Sequence, residues 1–553
     1  MKKSVSKIVL FMAISFVLII SGCSNKSGTE TEKNKEGLTE FTLFSADPHT
    51  QWDNMESPVS KVVKEKTGVT LNPEFDVNGG TQKIALMIAS GEYPDIIAPK
   101  GEAGKLVDAG ALIDLTDLIE EHAPNLKKVY GDYMNRLKWS SDDESIYILP
   151  TAPVDTQYFK PSHGVGLQHA VVKELGYPEI NTLKDFENAI KEYKEKVPEV
   201  NGQSTIGLSL LADDWRIMIS TTNPAFWSTG ASDDGEYYVD PETYEAMFHY
   251  KRPEEREYFR WLNHMNDEGL LDPESFVQKY DQYLAKLSSG RVLGIIDDDW
   301  EFDEAQRALR EQGQHDRMFG LYPATLEEDM KHANFQSAGY LAGWGVGITT
   351  NCEDPVAAIK FLDFLASEEG QILQNWGIEG EHYTIEDGKR VISDEEMDKR
   401  NNNANYVKET GIGVLKGFAP LYGDGVTDSN GQTYTIASPE QIKDAYTDVE
   451  KEVLTNYGVE MWKDLYPQED EFPIKPWGTS FNIQVPGDSD LALIEQKVLD
   501  IVKKRIPEAI LAKPSDFDKV YDGFLKEIDD AGAKEAEAMR TELIKERVEL
   551  WNN

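Results

Sequence analysis

Short apolar runs alternate with amphipathic helical stretches from residue 40 onward, and this alternation constrains the fold more than any other feature of the chain. Residues 41–44, 69–75 and 95–98 read as strands, and residues 59–66 and 81–89 between them carry apolar side chains at helical spacing. Strands that alternate with helices are typical of βαβ units, in which helices cover both faces of a parallel-rich sheet. The sequence therefore predicts an α/β protein.

Composition narrows the class of protein further. The chain has 553 residues, with 56 Lys and Arg against 99 Asp and Glu, so its formal net charge is −43. Aromatic residues make up 10% of the chain, which is too many for a disordered acidic protein. A nucleic acid or an anionic lipid surface needs a basic face, so neither is an expected partner. The composition indicates a folded, acidic protein.

The cysteines and histidines argue against a metal or cofactor site. Two cysteines exclude a disulfide scaffold and a zinc site built from cysteines. The nine histidines are scattered without an HExxH pair, and the chain has no P-loop. The glycines of residues 343–347 are not followed by a helix start, as a dinucleotide-binding loop requires. Residues 428–431 resemble part of a calcium loop but are better read as a polar turn. We expect no cofactor and no metal.

The first 23 residues have the pattern of an export signal. Three lysines lie within residues 1–7, and residues 8–20 are apolar apart from Ser15, a run too short to span a bilayer comfortably. Ile20-Ser21-Gly22-Cys23 resembles the bacterial lipobox, which implies that residues 1–22 are removed and Cys23 is lipidated. Residues 23–37 then form a flexible polar tether. The expected location is the extracellular face of the cell membrane of a Gram-positive bacterium, with the lipid as the only membrane contact.

Several phrases, in the right order along residues 40–545, resemble the extracellular solute-binding proteins of ABC importers. The similarity is to the maltose-binding-like group, and within it to the large LplA- or LipO-like lipoprotein branch. The phrases are SGEYPDI at 90–96, ESIYILP at 144–150, LGYP at 175–178, EGLLDP at 268–273, the helical segment 354–370, and WGIEGEHYT at 376–384. Each phrase alone is weak, and the ordered set carries the resemblance.

The resemblance implies two α/β lobes joined by crossing segments, with the ligand in the cleft between them. From the matched crossovers, we expect an N-terminal lobe of residues 38–152 plus 325–370 and a C-terminal lobe of residues 153–324 plus 371–553. It also implies a monomer that binds a small molecule, most simply an oligosaccharide, and delivers it to the permease subunits of the importer.

Three expected strand ends carry the same mixture of acidic and aromatic side chains. Ligands in open α/β sheets bind at the carboxyl ends of strands. Sugars suit such ends, because an aromatic ring stacks on the sugar face while charged groups bind its hydroxyls. The resemblance adds a stacking role for Trp300 and two residues of the WGIEG phrase. The candidate ligand-binding residues are Trp52 and Asp53, Asp214, Trp215 and Arg216, Asp298, Asp299 and Trp300, and Trp376 and Glu379.

Alternative interpretations stay open from the sequence alone. Each tryptophan could instead pack inside a lobe, and the acids could belong to a solvated surface. The protein could bind a peptide or another non-sugar solute. A surface glycoside hydrolase is the alternative from a different class, because so many carboxylates make acid pairs inevitable. No motif positions an acid, a base or a nucleophile, so we expect no catalysis. Acid-rich strand ends favour a neutral oligosaccharide over a polyanionic one.

Overall fold

The structure is a computed structural model that describes residues 37–76, 81–403, 405–485 and 489–552. The expected signal peptide, Cys23 and the tether up to residue 36 lie outside the described residues. None of the helices in the described part is long and apolar enough to cross a membrane.

The strands are short, as expected for a protein in which helices provide most of the packing surface. They are β1 Thr39–Ser45, β2 Val69–Phe75, β3 Ile96–Ala98, β4 Leu149–Pro150, β5 His163–Gln168, β6 Glu199–Val200, β7 Gln203–Ser204, β8 Ile206–Ser209, β9 Tyr237–Val239, β10 Ala246–Phe248, β11 Val292–Asp298, β12 Phe319–Tyr322, β13 Gly345–Ile348, β14 Thr384–Glu386 and β15 Lys389–Val391.

The helices occupy the segments between these strands and most of the C-terminal third. They are α1 Pro58–Thr67, α2 Thr81–Ser90, α3 Ala103–Asp108, α4 Thr116–His122, α5 Pro124–Tyr130, α6 His169–Glu174, α7 Leu183–Lys196, α8 Pro224–Ser228, α9 Pro253–Asp267, α10 Tyr280–Ser288, α11 Asp299–Glu311, α12 Pro355–Ala366, α13 Glu368–Asn375, α14 Asp394–Asn402, α15 Tyr406–Thr410, α16 Pro439–Ala445, α17 Asp448–Tyr457, α18 Asp490–Leu511, α19 Phe517–Asp530 and α20 Ala533–Asn552.

Local sequence signals explain where the first helix begins and ends. The Ser57 side chain caps α1 by accepting a hydrogen bond from the backbone N–H of Ser60, and Pro58 occupies the first helical position. Gly68 ends the helix with a φ of 68°, a left-handed conformation that glycine adopts at little cost. The chain then enters β2 directly, so this βαβ unit follows from its caps and its apolar spacing.

Two mixed sheets form the centres of two lobes. The first sheet has the order β2-β1-β3-β13-β4, in which β1 is parallel to β2 and β3 while β13 runs antiparallel to β3 and β4. The second has the order β12-β5-β11-β8, in which only β11 and β8 are parallel. The sheets are less parallel than the alternation predicts. β5 and β13 each follow a segment that crosses between the lobes rather than a βαβ connection, and β12 pairs antiparallel with β5. We call the parts built on these sheets the first lobe and the second lobe.

The lobe boundaries differ from those expected from the sequence. The apolar core around β1 and β13 also contains Leu373 of α13, Tyr406 of α15 and Phe418. Residues 371–419 therefore pack with the first lobe, although the expected division put them in the second. Their apolar side chains are buried in the same core as those of β1, β13 and α12, where they are removed from water. The second core takes up later residues instead, from Val453 of α17 to Ile544 of α20.

The chain consequently crosses between the lobes three times, near residues 151–162, 327–340 and 420–446. The first and third crossings run side by side. The backbone N–H of Val154 donates to the Leu421 carbonyl at 2.8 Å, and that of Gly423 donates to the Val154 carbonyl at 2.7 Å. The N–H of Gln157 donates to the Asp424 carbonyl at 2.8 Å. These hydrogen bonds join the two crossings into one short ribbon between the lobes.

The backbones of β13 and β4 come close together just before the first crossing, and this close approach tests the architecture. A Cβ added to Gly345 would lie 1.9 Å from the carbonyl oxygen of Leu149. We expect Gly345→Ala to force the two strands apart and to cost about 1–3 kcal/mol of stability or more, as overpacking typically does. Gly101→Ala is the matched control, because an added Cβ there meets no atom within 4 Å. Thermal unfolding measures both variants, and equal melting temperatures would contradict the close approach.

Candidate ligand-binding cleft

Three consecutive aspartates lie where β11 ends and α11 begins, and each has a different environment. Asp297 is buried, as are both faces of β11 up to this residue. Asp298 accepts a hydrogen bond at 3.0 Å from the indole N–H of Trp300. Asp299 begins α11, and its Oδ2 lies 2.5 Å from Nζ of Lys160. Only the second and third acids of the run are placed where a ligand could reach them.

Two tryptophans stack beside these acids. The rings of Trp215 and Trp300 lie 5.9 Å apart between centroids with an interplanar angle of 17°. Their side chains are 38% and 51% exposed, which is unusual for so large an apolar surface. The guanidinium of Arg216 lies 4.8 Å from the Trp215 ring centre, and its Nε lies 3.1 Å from the buried carboxylate of Glu301. The neighbouring Arg216 therefore holds the ring of Trp215 in place, while the ring of Trp300 has one open face.

The crossings place this cluster at the junction of the lobes. The backbone N–H of Asp299 donates to the Ser162 carbonyl at 2.7 Å, at the end of the first crossing. The side-chain amide of Asn334, in the second crossing, donates to the His163 carbonyl at 2.6 Å. The stacked tryptophans and their acids therefore belong to the edge of the second lobe that faces the crossings.

Burial changes the protonation of two side chains at this edge of the second lobe, Asp298 and His163. Burial, and secondly the negative charge of Asp233, raises the pKa of Asp298 to about 8, against the hydrogen bond from Trp300. His163, whose Nδ1 lies 3.9 Å from the Asp298 carboxyl, has its pKa lowered to about 4 by burial. At neutral pH the carboxyl is largely protonated and the imidazole is neutral. Asp298 can then both donate and accept a hydrogen bond at the surface of the cleft.

A cavity of about 280 Å³ lies on the first lobe where β1 and β3 end. Asp47 follows β1, and its Oδ1 lies 2.5 Å from Nζ of Lys100, which follows β3. The ammonium of Lys100 lies 5.6 Å from the ring centre of Trp344, and that side chain is 47% exposed. His49 and Phe75 also line the cavity. The first lobe therefore presents the same combination of an exposed tryptophan, an acid and a cation.

The first of the sequence-predicted strand ends contributes less than expected. Trp52 packs behind the first-lobe cavity, with its ring 5.8 Å from that of His49 and 5.5 Å from that of Phe75. Asp53 is only 6% exposed, and its carboxylate accepts hydrogen bonds from the Ser60 hydroxyl at 2.5 Å and from the backbone N–H groups of Met55 and Ser57, just before α1. Asp53 is therefore occupied in holding a turn, and we leave it out of the proposed site.

The two residues of the WGIEG phrase lie apart from both clusters. Trp376 is 6% exposed, and its indole N–H donates to the carbonyls of Thr433 and Tyr434 at 3.2 and 3.1 Å. Glu379 is exposed in the turn that follows. Trp376 packs as a core residue would, and Glu379 does not line the first-lobe cavity, so neither residue enters the proposed site. Asp214 is exposed next to Trp215, with a φ of 58°.

Sequence reasoning missed some of the residues that now line the clusters. Lys100, Lys160 and His163 are single polar residues at strand boundaries, and nothing in their local pattern sets them apart. Trp344 had a signal, since it stands between two glycines directly before β13. The two flanking glycines carry no side chains that could cover a large aromatic ring, and Trp344 is exposed.

No group of three or more His, Cys, Asp or Glu side chains among the described residues is arranged to hold a metal ion. The acidic turn at Asp428 is held by protein groups instead. Its carboxylate accepts hydrogen bonds from the backbone N–H groups of Asn430 and Gln432 and pairs with Arg390 at 2.7 Å. This turn is the polar turn that the sequence predicts.

The raised pKa of Asp298 has a consequence for stability. In the unfolded chain this carboxyl loses its proton near pH 4, whereas in the folded protein it keeps the proton up to about pH 8. Between these values the folded state binds more protons, so stability falls as the pH rises, by at most about 1.4 kcal/mol per pH unit for one group. Asp298→Asn should therefore lose less stability than the wild type between pH 5 and pH 8.

Urea denaturation at several pH values measures this difference. The pKa values of Asp233 and Asp297 are also raised, chiefly by burial, and the charge of Asp298 adds to the rise at Asp297. The difference between the two proteins therefore reports the titration of Asp298 together with its coupling to these carboxyls. Parallel stability curves for the two proteins would contradict the assignment.

Comparisons with known proteins point to one family. Residues 60–376 match the family model described as bacterial extracellular solute-binding protein. The chain is 24% identical to lipoprotein LipO of Bacillus subtilis over 484 residues, which cover 82% of this chain and 86% of LipO. It is 22% identical over 307 residues to the fructooligosaccharide ABC transporter substrate-binding protein FusA of Streptococcus pneumoniae, covering 51% of this chain and 56% of FusA.

Solved structures share the fold at low sequence identity. An HMO-binding, ABC-transporter-associated solute-binding protein of Bifidobacterium longum infantis matches with a TM-score of 0.68 at 16% identity, over 92% of this chain and 99% of the other. FusA in complex with kestose matches with a TM-score of 0.65 at 16% identity over the same shares. The two-lobed α/β fold predicted from the sequence is confirmed. The chain belongs to the bacterial extracellular solute-binding proteins.

Proposed function

We propose that this protein captures a neutral oligosaccharide in the cleft between its lobes and delivers it to the permease of an ABC importer. The observation that carries the proposal is the exposed Trp215–Trp300 stack beside Asp298 and Asp299. FusA, a relative of this chain, is by name a fructooligosaccharide-binding protein of an ABC transporter, which supports both the ligand class and the transport role.

The chemistry of the second-lobe edge suits a sugar. The open ring face of Trp300 offers a flat apolar platform for the CH groups of a pyranose or furanose ring. A protonated Asp298 can donate to one hydroxyl oxygen and accept from another hydroxyl. Asp299, Asp214 and Arg216 supply charged groups, whose hydrogen bonds are roughly twice as strong as neutral ones. The acidic character of the edge disfavours a polyanionic ligand.

The first lobe would complete the site by closing over the ligand. Trp344, Asp47 and Lys100 lie at the ends of the first-lobe strands and next to the crossings. A ligand that contacts both lobes binds the closed form better than the open form, and only such a difference shifts the equilibrium toward closure. The closed protein would then dock, as a monomer, on the permease. This role requires binding and release of an unaltered sugar, so we propose no catalysis.

A ligand panel tests the proposal most directly. A ligand that binds only the folded state must raise its melting temperature, by an amount that grows with its concentration. We would titrate neutral fructo-, malto- and gluco-oligosaccharides, uronic-acid oligosaccharides and short peptides. A saturable shift with a neutral sugar supports the proposal. A shift with peptides alone contradicts the sugar assignment, and cleavage of a bound sugar would indicate a glycoside hydrolase.

Truncating Trp300 tests the position of the site with the sugar found in that panel. We expect Trp300→Ala to cost about 2–4 kcal/mol of binding, as at interface hot spots, with a nearly unchanged melting temperature because the ring is 51% exposed. The matched control is Trp376→Phe, which removes a buried indole and its two hydrogen bonds. It should lower the melting temperature and keep the affinity. Calorimetry and thermal unfolding of both variants measure this, and the opposite pattern would place the site elsewhere.

We also propose that the protein is held at the outer face of the membrane by lipid on Cys23. A metabolic label with an alkyne palmitate analogue should tag the wild-type protein and miss Cys23→Ala. Cys352→Ala is the matched control and should keep the label, because Cys352 lies in the folded first lobe and partly buried. In-gel detection of the label measures all three proteins. Equal labelling of Cys23→Ala and the wild type would rule out the anchor.

A further inference from the structure

A second cavity lies between the lobes, away from the stacked tryptophans. Its volume is about 190 Å³. The first lobe contributes the 3₁₀ helix Gly131–Leu137 and the loop after it, and the second lobe contributes the last turns of α20. The side chains that matter here are Arg136, Trp139, Asn482, Gln484, Arg547 and Trp551.

One arginine from each lobe faces the same indole. The guanidinium of Arg136 lies 4.5 Å from the ring centre of Trp551, and that of Arg547 lies 4.9 Å from it. Nη1 of Arg136 donates to the carbonyls of Ala338 and Tyr340, at 3.2 and 2.9 Å. Nη1 of Arg547 donates to the Thr479 carbonyl at 3.0 Å. These partners are neutral, so they satisfy hydrogen bonds without balancing either positive charge.

No carboxylate in the described part of the chain lies within 4 Å of either guanidinium. Other cations nearby are paired: Arg540, two turns earlier on α20, contacts Glu495, and Lys138 lies 2.6 Å from Glu144. Acidic residues outnumber basic ones by 99 to 56 in the whole chain, so two neighbouring arginines without an ion pair are unexpected. Two exposed acids, Asp108 and Glu546, also line this cavity, and neither forms an ion pair with Arg136 or Arg547.

Both charges are partly removed from water. Burial lowers the pKa of Arg136, and burial together with the charge of Arg540 lowers that of Arg547 to about 9. Asp234 acts in the opposite direction, but it is held by Lys475 at 3.3 Å. Buried charges without a partner are strongly destabilising, and the indole face offsets only part of that cost. The described part of the chain therefore supplies no negative charge that pairs with either arginine.

We propose that this cavity binds a small oxyanion, a carboxylate or a phosphate, between Arg136 and Arg547. The planar guanidinium fork matches both anions with paired hydrogen bonds. Asn482 and Gln484 line the same cavity and can donate amide N–H groups. Because the two arginines come from different lobes, the bound anion contacts both lobes at once. The site goes beyond the proposed capture of an oligosaccharide, and its test uses no sugar.

The experiment titrates the full protein with orthophosphate and, separately, with succinate in a zwitterionic buffer at constant ionic strength. We expect a saturable rise in melting temperature with at least one of them. The anion that acts distinguishes a phosphate source from a carboxylate source. Arg136→Gln and Arg547→Gln should each weaken this apparent affinity at least tenfold. Arg307→Gln is the matched control, an exposed arginine paired with Asp303 on α11, and it should behave as the wild type.

A second readout does not depend on the arginine variants being folded. Fluorine NMR of the wild-type protein labelled with 5-fluorotryptophan, with the Trp551 signal identified by Trp551→Phe, should show a saturable shift of that signal on titration. Phosphate also stabilises proteins in general by exclusion from their surface, but that effect does not saturate and leaves the Trp551 signal in place. An unmoved Trp551 signal with both anions, or equal melting shifts in the wild type and a folded Arg547→Gln, overturns the proposal.

Discussion

The hydrogen-bonded ribbon between the first and third crossings is the constraint on which the rest of this structure depends. Val154 exchanges backbone hydrogen bonds with Leu421 and Gly423, so these two crossings cannot move independently of each other. The second crossing is anchored separately, through Asn334 on the second lobe and the β13–β4 pair on the first. The cleft edges on both lobes are built directly from the residues that flank these crossings. When one lobe rotates, the Trp215–Trp300 stack therefore moves as a unit relative to Trp344.

The sequence predicts the elements of this fold well wherever the signals are local. The spacing of apolar residues, Ser57 and Pro58 at the start of α1, and Gly68 at its end define a βαβ unit that the structure contains. The lobe assignment of residues 371–419 was not predictable in the same way. Their apolar side chains indicate burial, but only the tertiary structure decides which of the two cores receives them.

The residues of the candidate site were likewise predictable only where the signal was local. The strand-end rule led to Trp215 and Trp300, because the chain order alone places them after β8 and β11. The same rule misjudged Asp53, whose carboxylate is used to hold the turn before α1. It also missed Lys100 and Trp344, which reach the first-lobe cavity from β3 and from the return strand β13. A rule that reads one strand at a time does not foresee which strand ends meet across a cleft.

Each lobe is built from separate segments of the chain, and this limits the order in which the chain can fold. The first core needs β1 near residue 40 together with Phe418, and the second needs β5 near residue 163 together with Ile544. Contacts of such long sequence separation form slowly, because the intervening loops must close before the contacts stabilise them. Neither core can be completed while the chain is still being synthesised through its first four hundred residues. A chain built in this way stays open for longer after synthesis than one whose cores are each built from a continuous segment.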